Sequence, residues 1–193
     1  MAYLILGLVM FFSIHVVPMA PALREWSRAL LSVRVYLLVF SLVSALALIL
    51  IVIGYGQVRW QARVDPELWA PPIWLRHVTM LLMLPAMVLL VAAYVPSRIR
   101  TAVQHPMLAG IALWACAHLL ANGDLASVIL FGSFFIWAVV DAISASRRKA
   151  LGPLGARAGG LPGDIGAVLG GLAIYLIMLF WGHRWLIGVP LLP

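Results

Sequence analysis

The sequence predicts an all-α fold: a polytopic membrane protein with a bundle of six transmembrane helices, spans four and five forming a tight helical hairpin. Composition and blocking predict it. Of 193 residues, 65% are hydrophobic and 10% charged, and the mean hydropathy is +1.09. A water-soluble domain is about 45–50% apolar and ~25% charged. So few charges cannot coat a water-facing surface, which excludes an ordinary globular enzyme and a disordered chain. The apolar residues also gather into uncharged blocks, and a block of ~20 is long enough to cross a bilayer. The blocks are continuous rather than alternating, which favours helices over barrel strands.

The first block runs from Tyr3 to Ala22. Ala20-Pro21-Ala22 mimics a signal-peptide cleavage site, but no Lys or Arg precedes the block, whereas Arg24 and Arg28 follow it. That is the reverse of a signal peptide, so the block is expected to stay as a span. The second and third blocks are Val35 to Tyr55 and Ile73 to Val95. The fourth, Pro106 to Ala121, is short: 16 residues cover about 24 Å of a ~30 Å hydrocarbon core. Asn122-Gly123-Asp124 follows at once as a turn, with Asp124 placed to cap the fifth helix, Leu125 to Ser144. The sixth block is Ile165 to Ile187, which Asp164 is expected to cap, and Gly166 with Gly170 gives it a small-residue packing face. The Gly/Pro-rich basic stretch from Arg147 to Asp164 carries no visible motif. With no internal repeat or second domain, residues 1–193 read as a single transmembrane domain.

The 13 Lys and Arg against 6 Asp and Glu give a net charge of +7. The basic residues lie between the apolar blocks, so they orient the chain rather than bind nucleic acid. Nine of the 13 fall in the first, third and fifth connections: Arg24, Arg28 and Arg34; Arg98 and Arg100; Arg147, Arg148, Lys149 and Arg157. The positive-inside rule makes those connections cytoplasmic and puts both termini outside. Tyr55, Trp60, Trp69 and Trp74 then gather where an outer aromatic belt belongs. Cys116 is the sole cysteine, which excludes an internal disulfide and a zinc cluster of thiolates.

Within a membrane, function is read from the residues that are costly there. Five histidines qualify, His15, His77, His105, His118 and His183, together with Asp141. Each histidine alone reads as structural or interfacial, but neutral imidazole suits iron, copper and zinc, and two on facing helices can clamp a haem. By depth His77, His118 and His183 lie toward the outer face and His105 at the inner end of its helix. His118 with His77 or His183 is therefore the pair that depth prefers. Trp114 and Asn122 share a helix face with His118; Asn122 either orients that imidazole or caps the turn. Asp141 either pairs with Arg98 or Arg100 or stands behind His105 and orients it. No Ser/His/Asp set, paired acids or phosphate-binding glycine loop is present, so hydrolytic and nucleotide chemistry lack support.

The string His105-Pro106-Met107-Leu108-Ala109-Gly110, then Leu113-Trp114-Ala115-Cys116-Ala117-His118, then Asn122-Gly123, joins an opening span that carries His15 and the block from Trp69 to His77. Together these resemble the NnrU family over nearly the whole chain. The family takes its name from denitrifying bacteria, where members accompany nitrite and nitric oxide reductase genes. The string also resembles the 15-cis-zeta-carotene isomerases, membrane enzymes that carry haem b. That resemblance implies haem b held by His15 and His118, with His105 and His77 as reserves. The isomerases' exchanging cysteine lies three residues before the motif histidine, where Ala115 stands here. Cys116 is about 200° around the helix from His118 and shares a face with His105, so thiolate exchange is not expected.

The His105-Pro106-Met107 to Gly110 stretch also resembles membrane methyltransferases that bind S-adenosylmethionine, although Ser146-Arg147-Arg148-Lys149 replaces their acidic pair. The expectation is thus a multi-pass protein of a bacterial inner membrane that binds haem b. Its role is redox or isomerase-like, or linked to nitrite and nitric oxide reduction. The alternatives are the methyltransferase and a non-catalytic accessory factor. Its expected partners are the lipid bilayer and a hydrophobic small molecule.

Overall fold

A computed structural model of the chain describes residues 1–59, 61 and 63–192. Trp60, part of the expected aromatic belt, lies outside them. The described residues are all-α. Five helices are long and apolar enough to cross a membrane: Ala2–Met19, Pro21–Val58, Leu75–Ala92, Leu125–Arg147 and Leu161–Ile187. Pro106–Ala121 is apolar but shorter. The chain divides into two compact units, Met1–Trp69 with Gly123–Ser133, and Ala70–Asn122 with Phe134–Pro193.

In the first unit α1 (Ala2–Val16) leads through a 3-10 turn, Val17–Met19, into α2 (Pro21–Val58). The two helices pack closely because small residues let their backbones meet. A Cβ at Gly54 would strike the backbone of Tyr3 and Leu4. The first connection is therefore helical rather than a loop, with one break: Ser32 holds φ 61 and ψ 159. That region is costly for any residue with a Cβ and ends regular helix. Residues 66–69 then run beside the start of α6 (Leu125–Arg147). Leu68 N–H donates to the Gly123 carbonyl at 2.8 Å and Leu125 N–H to that of Pro66 at 3.0 Å.

The second unit contains α3 (Leu75–Ala92), α4 (Arg98–Val103), α5 (Pro106–Ala121), the remainder of α6, α7 (Leu161–Ile177) and α8 (His183–Ile187). A π-helical turn, Met178–Gly182, joins α7 to α8. Thr79 donates its hydroxyl to the Ala117 carbonyl at 2.9 Å, which fixes α3 against α5. On α7, Gly170 faces Val91 and Gly166 faces Val95, as a small-residue face requires, but the backbone approach to α3 is closer at Gly171. A Cβ there would sit 2.5 Å from Val88 Cα.

Two electrostatic expectations are corrected. Asp164 does not cap its own helix, whose N-cap is Gly160. Its carboxylate instead accepts from Arg98 N–H at 2.6 Å and Ile99 N–H at 3.2 Å, capping α4, and pairs with the Arg98 guanidinium at 2.9 Å. The cause is tertiary: Asp164 already lies within the first turn of α7, and the chain brings α4's open N–H groups to it. Asp141 pairs with Arg148, seven residues on, at 3.3 Å, rather than with Arg98 or Arg100. Arg100 is instead buried, and its guanidinium donates to the carbonyls of Arg157 at 2.8 Å and of Gly155. The Gly/Pro-rich stretch is thus pinned by the Arg100 guanidinium.

Asp164→Ala should lower stability by about 1–2 kcal/mol, since it removes a charged cap. Asp164→Asn keeps the acceptor oxygen and loses only an ion pair to an exposed arginine, worth at most ~1 kcal/mol. Thermal unfolding in detergent compares the two.

Candidate functional site

The histidines separate by unit. His15 belongs to the first, near the end of α1, where its Nδ1 donates to the Phe11 carbonyl at 2.7 Å. Its ring stacks on Phe11 at 3.9 Å and lies 4.9 Å from Phe40 of α2. His77, His105, His118 and His183 belong to the second unit.

His118 is half-buried in the last turn of α5. Its Nδ1 donates to the Trp114 carbonyl at 2.9 Å. A carbonyl only accepts, so the proton sits on Nδ1 and the lone pair on Nε2, the tautomer seen in metal-ligating histidines. Trp114 lies 5.1 Å from the imidazole and meets Phe134 edge-on at 5.7 Å, giving the ring an aromatic wall. Asn122 donates to the His118 carbonyl at 2.8 Å, so it caps α5 rather than orienting the imidazole.

His183 opens α8 directly after the π-helical turn and lies within electrostatic range of His118. Its Nδ1 donates to the Val189 carbonyl at 2.8 Å, which sets the same tautomer. Single π turns recur at functional sites because the extra residue re-aims the side chains that follow. His77 begins α3 and is exposed. The Thr79–Ala117 bond puts it at the same end of the helix pair as His118.

His105 stands apart. It is the N-cap residue of α5, 13 residues and ~20 Å from His118 along one rigid helix, so the two cannot hold one iron. Its amide donates to the Val103 carbonyl at 2.7 Å across Gln104, whose φ of 62 and ψ of −52 form a strained, positive-φ γ-turn. Among the described residues no three His, Cys, Asp or Glu side chains converge on one point. A closed four-ligand zinc site is therefore not assembled among them, whereas haem needs at most two protein ligands.

A polar cluster that the sequence did not reveal lies in the first unit. Asp124 caps α6 as its position suggests, accepting from Ser127 N–H at 2.8 Å. Asp65, from the preceding connection, is buried and accepts from Ala126 N–H at 2.7 Å. Tyr55 turns inward from the expected belt, its hydroxyl 2.8 Å from that of Ser127. Burial pushes the Asp65 carboxyl above the ordinary carboxylate range, and neighbouring Asp124 adds to the rise, against the lowering effect of the Ala126 N–H. A raised value means that the fold prefers the protonated acid. The resulting stability is complete below the ordinary range and is lost as pH rises through the raised value. Asp65→Asn, neutral and still an acceptor for Ala126, should remove that loss. Melting curves from pH 4 to about 8 should fall with rising pH for the parent and change less for the variant.

An open apolar groove of about 440 Å³ also belongs to the first unit, lined by Leu8, Val9, Phe12, Ile129 and two serines, Ser13 and Ser133. Its volume suits a small hydrophobic molecule.

Comparison with curated proteins and with solved structures returned no match. The sequence model of the family described as NnrU protein, however, matches residues 3–191, which takes in all six apolar blocks and all five histidines. The chain belongs to the NnrU family.

Proposed function

We propose that this NnrU protein is a six-span membrane protein that binds one haem b, which His118 would help to hold. Pro106–Ala121 is the sixth span, and the arginine-rich connections face the cytoplasm with both termini outside, in a bacterial inner membrane. The observation that carries the haem reading is the His118 imidazole itself. It is half-buried against Trp114, its Nδ1 is fixed on a carbonyl, and a second imidazole, His183, stands within electrostatic range. That donor set fits haem iron: neutral nitrogen ligands, each oriented by a backbone acceptor.

The Trp114 and Phe134 rings supply an apolar wall that limits water at that imidazole. His183 is the second ligand favoured within the same unit. The family resemblance names His15 instead, and substituting each in turn separates them. A bound haem would supply one-electron or Lewis-acid chemistry, which suits isomerisation of a hydrophobic substrate or steps linked to nitrite and nitric oxide reduction.

The test is the visible spectrum of protein purified in mild detergent from haem-replete cells, oxidised and reduced, with a pyridine haemochrome assay. A Soret band with about one haem per chain is expected for a single site. A colourless protein overturns the reading, and measurable S-adenosylmethionine binding would then favour the methyltransferase.

A further inference from the structure

The first eleven residues of α2, 21–31, are helical, yet the membrane has no room for them. At 1.5 Å per residue the 38 residues of Pro21–Val58 extend ~57 Å, about twice the hydrocarbon thickness. The break at Ser32 divides the helix, and residues 33–58 alone suffice to span. At 100° per residue, Leu23, Trp26 and Leu30 fall within ~60° of one another, flanked by Ala22 and Ala29. Arg24 and Arg28 occupy the opposite face beside Glu25. The stripe is bare: Leu23 is 40% exposed, Trp26 62% and Leu30 65%. Arg34 adds a further positive charge just past the break.

We infer that residues 21–31 form an interfacial helix that lies along the membrane surface and engages anionic phospholipid headgroups. Chain continuity favours lipid over a protein partner. The segment joins two apolar helices at one end of each, so its tethers hold it at the boundary between hydrocarbon and water. There the tryptophan and two leucines can enter the acyl edge while the arginines remain among the headgroups. The positive φ at Ser32 supplies the bend between an in-plane helix and a crossing one.

The test uses the full chain, in a Cys116→Ser background, reconstituted in nanodiscs and spin-labelled singly at Leu23→Cys, Trp26→Cys, Leu30→Cys, Glu25→Cys or Arg28→Cys. Labels at 23, 26 and 30 should be reached preferentially by oxygen, and those at 25 and 28 by a water-soluble nickel chelate. Changing from phosphatidylcholine to a mixture rich in phosphatidylglycerol should raise the docked over undocked ratio in the spectra. Arg24→Gln or Arg28→Gln should each reduce that ratio roughly five-fold in the anionic discs. Equal access of the nickel reagent to all five positions overturns the inference. So does dipolar broadening in samples labelled singly at 26 or at 30, which would put a second copy of the chain on the stripe. A docked fraction indifferent to anionic lipid overturns the headgroup assignment.

Discussion

His118→Ala should abolish the Soret band while leaving the far-ultraviolet helical spectrum unchanged. The side chain reports on binding rather than folding because its Nδ1 hydrogen bond is local, to the carbonyl of Trp114 four residues earlier. That carbonyl lies within α5 and keeps its place in the helix when the imidazole goes. Removing the half-buried ring costs about 1–2 kcal/mol of packing against Trp114, far less than the loss of an iron ligand would cost a bound haem. His183→Ala and His15→Ala identify the second ligand, since only loss of the residue that holds the haem should change the visible spectrum. His105→Ala should retain the band, because ~20 Å of helix separates it from His118. Cys116→Ser should retain it also, on its helical phase.

Gly171→Val should produce a large loss of stability, more than about 3 kcal/mol, because backbone cannot move aside as a side chain can. A Cβ at Gly171 would stand 2.5 Å from Val88 Cα and 2.6 Å from Val88 N, so α7 must separate from α3. The same shift carries α8, and with it His183, away from its level. The variant should therefore also lose or weaken a Soret band if His183 is a ligand, whereas His15 ligation would spare it. Gly56→Ala is the matching control. Among the described residues no atom beyond its own stretch of helix lies within 4 Å of a Cβ there, and alanine favours a helix by roughly 0.5–1 kcal/mol over glycine. Thermal unfolding in detergent and the visible spectrum of the same samples check both outcomes.

Much of the fold could be read from the sequence because a membrane imposes a single strong rule. An uncharged stretch of sufficient length must satisfy its backbone within itself. Pro106–Ala121 emerged with the predicted ends, since a helix-starting proline and the Asn-Gly-Asp turn mark both. The apolar pattern places the second span at Val35 to Tyr55, and the helix begins instead at Pro21. Hydropathy registers where charge begins, whereas Pro21 at N1 and strong helix formers carry the backbone through Arg24, Glu25 and Arg28. Five histidines were visible for the same reason the spans were: polar side chains are conspicuous against an apolar background.

Their partners were not visible. Helical phase set His118 beside Trp114 and separated it from His105, since both relations lie within one helix. Nothing in the sequence ties His118 to His183, 65 residues away, or gives Asp65 a place at the start of α6.

By itself the sequence determined the class, the apolar helical stretches, the charged connections and the residues able to carry chemistry. These follow from local hydrophobicity and helical geometry, which act over a few turns. Only the tertiary structure decided which carboxylate caps which helix, where Arg100 is buried and which histidines share a unit. Those outcomes depend on helix-to-helix register, set by close contacts such as Gly171 on Val88 and Gly54 on Leu4. A register of that kind is a property of two surfaces meeting, and neither surface alone encodes it.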